Sequence, residues 1–182
     1  MITFNYSMFD TVRRIITGGP GFGKTSILTA LNRSNRNTFD EVARLVIKQE
    51  MARNSDHLPW LDNLAFSHKV LSIQKTQFNE ASGIAYYDRG APDILAYLKH
   101  NNQVSFSELE DFLNSHSYDT KVFLTPPWQE IYQQDEERKE SFEEACQIHD
   151  ALVNTYTKMG YDLIEIPKYT IKERLAFVLS HE

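Results

Sequence analysis

The sequence has almost no cysteine, no long apolar run and no excess of positive charge. One cysteine among 182 residues, Cys146, excludes an internal disulfide framework and any zinc site built from several thiolates. No stretch approaches the ~18 consecutive apolar residues of a membrane-spanning helix. The formal net charge of -6 disfavours the broad basic surface that nucleic acids and anionic membranes require. We therefore expect neither a nucleic acid nor a membrane as partner.

The first ten residues also lack a basic start followed by an apolar segment, so no secretory signal is indicated and we expect a cytoplasmic protein. Hydrophobic residues make up 41% of the chain, which is enough to bury a sizeable core. The length is typical of one domain, and neither a linker nor an internal repeat is visible. We predict a single domain over residues 1–182, present as a monomer or a homodimer.

Glycine is scarce too, and four of the seven glycines lie within six residues near the amino terminus. The segment Gly18–Thr25 fits the pattern GxxxxGK[ST] of a phosphate-binding loop. An apolar strand pattern precedes it and a helical pattern follows it, as such a loop requires. Glycines let successive backbone N–H groups point at phosphate oxygens, and the start of the helix adds partial positive charge. The alternative is a glycine-rich turn with an incidental lysine.

The ligand expected at this loop is Mg²⁺·ATP, and GTP is not excluded, although the further motifs of GTPases are absent. Lys24 would contact the β- and γ-phosphates, and the Thr25 hydroxyl would ligate Mg²⁺. The residues predicted to bind the nucleotide are Gly18, Gly19, Gly21, Phe22, Gly23, Lys24, Thr25 and Ser26.

Short apolar segments alternate with amphipathic helical segments along the rest of the chain. This alternation predicts an α/β fold of three layers, in which helices cover both faces of a parallel sheet. Ligands bind such sheets at the carboxyl ends of the strands. The phosphate-binding loop, Glu41, Asp88 and Thr125 are all predicted to lie at such ends. The five strands are predicted near residues 12–17, 38–41, 84–88, 121–125 and 161–166.

The segment Tyr87-Asp88-Arg89-Gly90 is a second candidate motif. Asp88 could ligate Mg²⁺, or it could accept a proton from an attacking hydroxyl. Arg89 could bind an anionic substrate or pair with Asp88. ATP-driven motors usually carry a glutamate directly after this aspartate, so an arginine favours transfer to a bound acceptor over hydrolysis. The alternative is a turn in which both residues have only a structural role.

Glu41 and Arg44 lie where an acceptor would approach the phosphate. Glu41 could take the proton of the acceptor, and Arg44 could orient an anionic part of it. The alternative is an exposed ion pair that contributes at most ~0.5 kcal/mol. The sequence leaves open whether Glu41 or Asp88 is the general base.

The segment 129–144 is dense in charge and is predicted to form a helical lid over the transferred phosphate. A lid excludes water and supplies a cation to the transition state. Arg138 is the first candidate for that cation and Lys139 the second. The alternative is a solvated helix face, which is the usual role of such a charge run.

The motifs together resemble the small AAA-domain P-loop proteins, and they are similar to the nicotinamide-riboside kinase domain of bacterial NAD regulators. The resemblance implies a nucleoside-kinase-like core with strand order 2-3-1-4-5, binding of a magnesium nucleotide and the lid role of Arg138. It does not specify the acceptor, and it implies no ring assembly. The matching segments are Gly18–Ser26, Glu41–Arg44, Tyr87–Gly90 with Asp93, Pro127–Tyr132 with Asp135 and Arg138, Tyr156, Gly160-Tyr161, Ile166-Pro167 and Glu173-Arg174.

These observations predict a kinase that transfers the γ-phosphate of ATP to a small hydroxyl-bearing acceptor of the nucleoside or riboside kind. Lys24, Asp88, Glu41 and Arg138 would be catalytic, and Glu41, Arg44 and Arg89 would bind the acceptor. One alternative is a regulatory ATPase or GTPase switch with slow hydrolysis. Another is a module that binds a nucleotide without turnover.

Overall fold

The computed structural model describes residues 11–134 and 140–182. Its central feature is a parallel sheet of five strands in the order β2-β3-β1-β4-β5. This confirms the predicted sheet and its strand order. The strands are β1 Val12–Thr17, β2 Asn37–Phe39, β3 Ile84–Asp88, β4 Lys121–Leu124 and β5 Asp162–Glu165.

Helices connect the strands and cover the sheet. A short 3₁₀ helix, Gln129–Ile131, follows β4. None of the helices in the described ranges is both long and apolar enough to cross a bilayer. The helices are α1 Lys24–Arg33, α2 Val42–Ala52, α3 Asn63–Glu80, α4 Ala91–His100, α5 Ser107–Ser115, α6 Phe142–Lys158 and α7 Ile171–Leu179.

Neighbouring residues of the buried strands supply two separate cores. Ile15 and Tyr87 face a large cluster with apolar residues of α2 to α6. Ile16 and Tyr86 face a smaller cluster with α1 and α7. Successive side chains of a strand point to opposite faces, so an uninterrupted apolar run serves both layers. This explains why these strands lack the alternation of polar and apolar residues.

The second strand is shorter than predicted. β2 pairs only with β3, through Thr38 beside Tyr86 and Phe39 beside Tyr87, and it ends at Phe39. Glu41 is therefore not on a strand; it precedes α2 in an extended conformation, with φ -60° and ψ 110°. An edge strand of three residues carries too little pattern for its end to be located from sequence alone.

A buried carboxylate, Asp93, joins three parts of the fold at the carboxyl edge of the sheet. Asp93 lies in the first turn of α4 and is 2% exposed. Its Oδ1 accepts hydrogen bonds from the Thr17 hydroxyl at 2.5 Å and from Nη1 of Arg89 at 3.2 Å. Its Oδ2 accepts from the Gly90 N–H at 2.9 Å and from the Tyr156 hydroxyl at 2.5 Å. The ends of β1 and β3 and the last turn of α6 are thereby fixed relative to one another.

We predict that Tyr156→Phe lowers the free energy of unfolding by about 1.5–3 kcal/mol, because it deletes a buried hydrogen bond to a charged group. The matched control is Tyr161→Phe. The Tyr161 ring packs on Tyr156 with centroids 5.3 Å apart, and its hydroxyl makes no hydrogen bond with the described residues. The control should change stability by about 0.5 kcal/mol or less. Urea denaturation measures both, and equal losses would contradict the role given to Asp93.

Candidate active site

The phosphate-binding loop connects β1 to α1, and its backbone conformation requires glycine. Gly18, Gly21 and Gly23 have positive φ angles of 137°, 81° and 81°. At Gly18 the space is also closed, since a Cβ atom would lie 2.2 Å from Oγ1 and 2.5 Å from the carbonyl oxygen of Thr125. The glycines therefore give the loop both its curvature and its close contact with the end of β4.

Lys24 begins α1, and its ammonium group lies over the loop. The side chain is 5% exposed, and Nζ donates hydrogen bonds to the carbonyl oxygens of Gly18 at 3.0 Å and Gly19 at 2.9 Å. Burial lowers the pKa of Lys24 to about 8, and the charge of Arg89 acts in the same direction. A polyphosphate would compensate this buried positive charge.

Asp88 ends β3 and faces the start of α1. It is 2% exposed, and its Oδ2 accepts a hydrogen bond from the Thr25 hydroxyl at 3.2 Å. Its Oδ1 is buried without a hydrogen-bond partner among the described residues. Burial and the negative charge of Glu41 raise the pKa of Asp88 to about 7, against the opposing effects of Lys24 and Arg89.

The donor set of Asp88 and Thr25 suits Mg²⁺. A carboxylate oxygen without a partner beside a hydroxyl offers the oxygen ligands that this ion prefers. Within residues 11–134 and 140–182, no group of three or more His, Cys, Asp or Glu side chains could hold a metal. A magnesium ion here would thus take its other ligands from water and from nucleotide phosphates, as is usual for Mg²⁺.

Arg89 is a buried cation bound between two carboxylates. It is 5% exposed, and its backbone has φ 72°, a left-handed conformation that non-glycine residues adopt at a cost of about 1–3 kcal/mol. Its Nε donates to Oε1 of Glu41 at 2.9 Å, and Nη1 donates to Asp93. The guanidinium group thus lies between the start of α2 and the first turn of α4.

Glu41 is shared between two arginines. Besides its bond to Arg89, its Oε2 lies 3.4 Å from Nε of Arg44. Burial acts to raise the pKa of Glu41, but the charges of Arg89 and Lys24 outweigh burial and hold that pKa below its ordinary value. Glu41 is therefore ionised at neutral pH.

One cleft of about 860 Å³ connects the phosphate-binding loop with a pocket between α2, α3 and α4. This volume lies within the roughly 300–1,000 Å³ of typical ligand sites. Two buried amides face the pocket: Asn63 donates to Oε1 of Gln103 at 2.5 Å, whereas Oε1 of Gln74 has no partner among the described residues. The apolar walls include Val42, Ile47, Trp60, Phe66, Ile94 and Tyr97.

Most of the residues predicted for the site lie together in this cleft. Thr25 contacts Asp88, and Glu41 contacts Arg89 and Arg44. Ser26, in the first turn of α1, lines the same cleft. Arg138 and Lys139 lie outside the described residues, as do all of residues 135–139 of the predicted lid.

The side chain of Phe22 has a structural role that the sequence did not predict. It is fully buried and packs against Phe142 and His149 of α6, with ring centroids 5.9 and 5.8 Å apart. The side chain therefore anchors the phosphate-binding loop to α6, and only the backbone of Phe22 remains to face a nucleotide. The GxxxxGK[ST] pattern leaves this position unspecified, so the sequence could not distinguish the two roles.

Sequence reasoning assigned no site role to Asp93, Gln74 or Arg174. Asp93 was recognised as a residue of a helix start and as part of the family resemblance, neither of which gives it a role in the site. Gln74 lies in the middle of a long helix and carries no motif. Arg174 is in a matching segment of the family resemblance, but nothing in its spacing indicates that it is 2% exposed and lines the cleft.

A family model described as "AAA domain" matches residues 13–174. Deoxyadenosine kinase from M. mycoides superimposes with a TM-score of 0.68 at 16% identity, covering 93% of this chain and 97% of that one. Shikimate kinase from Aquifex aeolicus superimposes with a TM-score of 0.56 at 15% identity, and the alignment covers 93% of this chain and 95% of that one. No curated protein matches the sequence.

The NadR protein in complex with NR superimposes with a TM-score of 0.66 at 19% identity, covering 94% of this chain. This chain spans only about half of NadR, 51% of its length. At these levels of identity the structural likenesses establish the P-loop kinase fold.

We predict that Asp88→Asn stabilises the nucleotide-free protein at about pH 8 and that the gain shrinks toward about pH 5. The pKa of Asp88 is about 7 in the folded protein against an ordinary value of 3.8, so the folded state binds this proton more tightly than the unfolded chain. The ionisation of Asp88 therefore lowers the free energy of unfolding of the wild type as the pH rises from about 4 through about 7. Asparagine resembles the protonated carboxyl group, so the variant does not undergo this loss.

Thermal unfolding at both pH values measures this difference. Asp150→Asn, which removes an exposed carboxylate from α6, is the control and should show no comparable gain. If Asp88→Asn is less stable than the wild type at about pH 8, the claim that burial destabilises the ionised Asp88 carboxylate is wrong.

Proposed function

This chain belongs to the AAA domain family, and we propose that it is a Mg²⁺-dependent kinase that transfers the γ-phosphate of ATP to a small hydroxyl-bearing acceptor of the nucleoside or riboside kind. One observation carries the proposal: the cleft has the phosphate-binding loop and the Glu41–Arg89 pair at one end and an apolar pocket at the other, and Thr25 of the loop is hydrogen-bonded to the buried Asp88. The kinases to which the fold is similar support it.

In the proposed reaction, the loop and its neighbouring residues position the nucleotide and offset the negative charge of its phosphates. Backbone N–H groups of the loop and the Lys24 ammonium would bind the β- and γ-phosphates. Thr25 and Asp88 would hold Mg²⁺, whose charge, when bound, offsets the charge that develops on the phosphates. Lys24 is already confined to the loop by its bonds to Gly18 and Gly19, so little order is lost when it binds an anion.

On the acceptor side, we assign the role of proton acceptor to Glu41. Its carboxylate is ionised and faces the cleft beside Arg89 and Arg44, which would orient the acceptor. Phosphoryl transfer has a loose transition state in most analyses, so the hydroxyl proton leaves late and a base with a low pKa suffices. Asp88 has the higher pKa, about 7, but its oxygens face Thr25 and the proposed metal site.

The pocket suits a flat ring that carries a hydrogen-bond donor. Trp60, Phe66 and Tyr97 supply aromatic surface, and Oε1 of Gln74 is a buried acceptor without a partner among the described residues. Leaving such an atom unpaired costs about 1–3 kcal/mol, which a ligand N–H would recover. A nucleoside or riboside combines such a ring with the hydroxyl that receives the phosphate.

The proposal keeps Arg138 as the cation that approaches the transferred phosphate from the lid. Its support is the family resemblance and its position in the sequence, between the short 3₁₀ helix and α6. A lid that closes over the donor would also exclude water, and it would thereby favour transfer over hydrolysis.

The test is transfer of labelled phosphate from ATP to a panel of nucleosides, ribosides and sugars. We expect transfer to at least one acceptor, negligible hydrolysis without acceptor and a decrease of about 10²–10³ in turnover for Lys24→Met, as for loss of a key charge in other enzymes. Lys158→Met removes an exposed lysine from α6 and should leave turnover unchanged.

The rival functions give different outcomes in the same assay. Hydrolysis that is slow and independent of every acceptor would identify a regulatory switch. Nucleotide binding without either reaction would identify a binding-only module. Equal turnover of Lys24→Met and the wild type would contradict the assigned site.

A second prediction distinguishes the proposed roles of Glu41 and Asp88. Glu41→Gln should lower acceptor-dependent turnover by about 10²–10⁴, the usual contribution of a general base, and leave the affinity for Mg²⁺·ATP nearly unchanged. Asp88→Asn should instead weaken the dependence of ATP binding on Mg²⁺. Calorimetric titration and the transfer assay measure the two effects, and a reversed pattern would make Asp88 the base.

A further inference from the structure

Three arginines in the described residues are less than 10% exposed, and one of them differs from the others. Nε of Arg14 donates to Oδ2 of Asp119 at 3.0 Å, and Arg89 is bound by Glu41 and Asp93. Arg174 is the most buried of the three, at 2% exposure, and has no ion pair with any described carboxylate.

The guanidinium group of Arg174 is also short of hydrogen-bond acceptors. Its Nη1 lies 3.5 Å from the carbonyl oxygen of Gly23, which is a long hydrogen bond. Nε and Nη2 are buried and have no partner among the described residues. Cζ lies 5.4 Å from the centre of the Trp128 ring, so one face of the group is covered by an aromatic surface. A buried charge without a partner is costly, and here the cost is only partly offset.

The position of Arg174 connects it with the phosphate-binding loop. It lies in the first turn of α7, and its side chain lines the same cleft as Lys24 and Thr25. It is in close contact with the loop, because a Cβ atom at Gly23 would lie 2.9 Å from Nη1 of Arg174. The same Cβ atom would lie 3.5 Å from Nη2, so at least this unpaired nitrogen is adjacent to the backbone that would wrap a polyphosphate.

We propose that Arg174 is a second cation of the nucleotide site and that its Nε and Nη2 groups donate hydrogen bonds to phosphate oxygens of the bound nucleotide. This inference rests on the proposed function, since it requires a nucleotide in the loop. A guanidinium group presents its N–H donors in a fork that matches two oxygens of a phosphate. Such an anion supplies at once the charge and the acceptors that Arg174 lacks among the described residues.

The inference gives a role to Arg174, a residue of the family resemblance to which the sequence assigned none. Arg174 would make α7, the helix that follows β5, part of the nucleotide site. Burial lowers the pKa of Arg174, and no described carboxylate opposes that shift. A bound phosphate group would favour the charged form of Arg174 and would raise its pKa again.

The experiment compares Arg174→Met, which retains length and loses charge, with Arg174→Lys and with the control Lys172→Met. Lys172 is an exposed cation two residues away on the same helix. The probes are Mg²⁺·ATP and Mg²⁺·tripolyphosphate, which lacks base and ribose. For Arg174→Met we expect both probes to bind about 10- to 100-fold more weakly, as for loss of hydrogen bonds to a charged group. Arg174→Lys should lose less, and Lys172→Met should bind as the wild type does.

Thermal unfolding separates this role from a structural one. The nucleotide-free Arg174→Met protein should be as stable as the wild type or more stable, because the variant removes an unpaired buried charge. The stabilisation that Mg²⁺·ATP confers should nevertheless be smaller in the variant. If Arg174→Met fails to fold, the binding of Arg174→Lys decides the question.

The outcomes distinguish this inference from the proposed function. A wild type that binds neither ATP nor tripolyphosphate contradicts both. A wild type that binds both probes, with Arg174 variants that bind them equally well, overturns the inference alone. Weaker binding of ATP with unchanged binding of tripolyphosphate also overturns it, because Arg174 would then contact the base or the ribose.

Discussion

Four ionisable side chains share a crevice that water hardly reaches, and the charge of each depends on the others. Lys24, Asp88 and Arg89 are each 5% exposed or less, and Glu41 lies against Arg89 at 2.9 Å. Burial disfavours every one of these charges, and neighbours of opposite sign outweigh burial at Glu41 and Arg89 but not at Lys24 and Asp88. The compensation is incomplete at Oδ1 of Asp88 and at the guanidinium group of Arg174, which are the positions best suited to an added cation and an added anion.

The parallel sheet makes this concentration of charge possible. Strands that run in one direction end at one edge, so the loop after β1, Asp88 at the end of β3 and Thr125 after β4 meet although they are distant in sequence. Asp93 then fixes the edge by accepting four hydrogen bonds from three segments. The edge is joined by these hydrogen bonds on the side of the sheet and is open toward the pocket between α2, α3 and α4.

The sequence predicted the features that depend on neighbours along the chain. The loop motif and the apolar strands agree with the structure, because periodicity and motif spacing report local geometry. The strand order also agrees, but it is not local, and only the family resemblance implied it. The sequence could not predict that Phe22 packs against α6, that Gln74 faces the pocket or that Arg174 lies beside Gly23. Those facts depend on contacts across as many as 151 positions, for which no local pattern exists.

The account depends most on the claim that a triphosphate binds along the Gly18–Thr25 loop. A crystal structure with Mg²⁺ and a non-hydrolysable ATP analogue tests that claim most directly. We expect the loop amides around the β-phosphate and Nζ of Lys24 on the phosphates instead of on the carbonyl oxygens of Gly18 and Gly19. An analogue bound elsewhere, or a Lys24 that still contacts both carbonyl oxygens beside an empty loop, would contradict it.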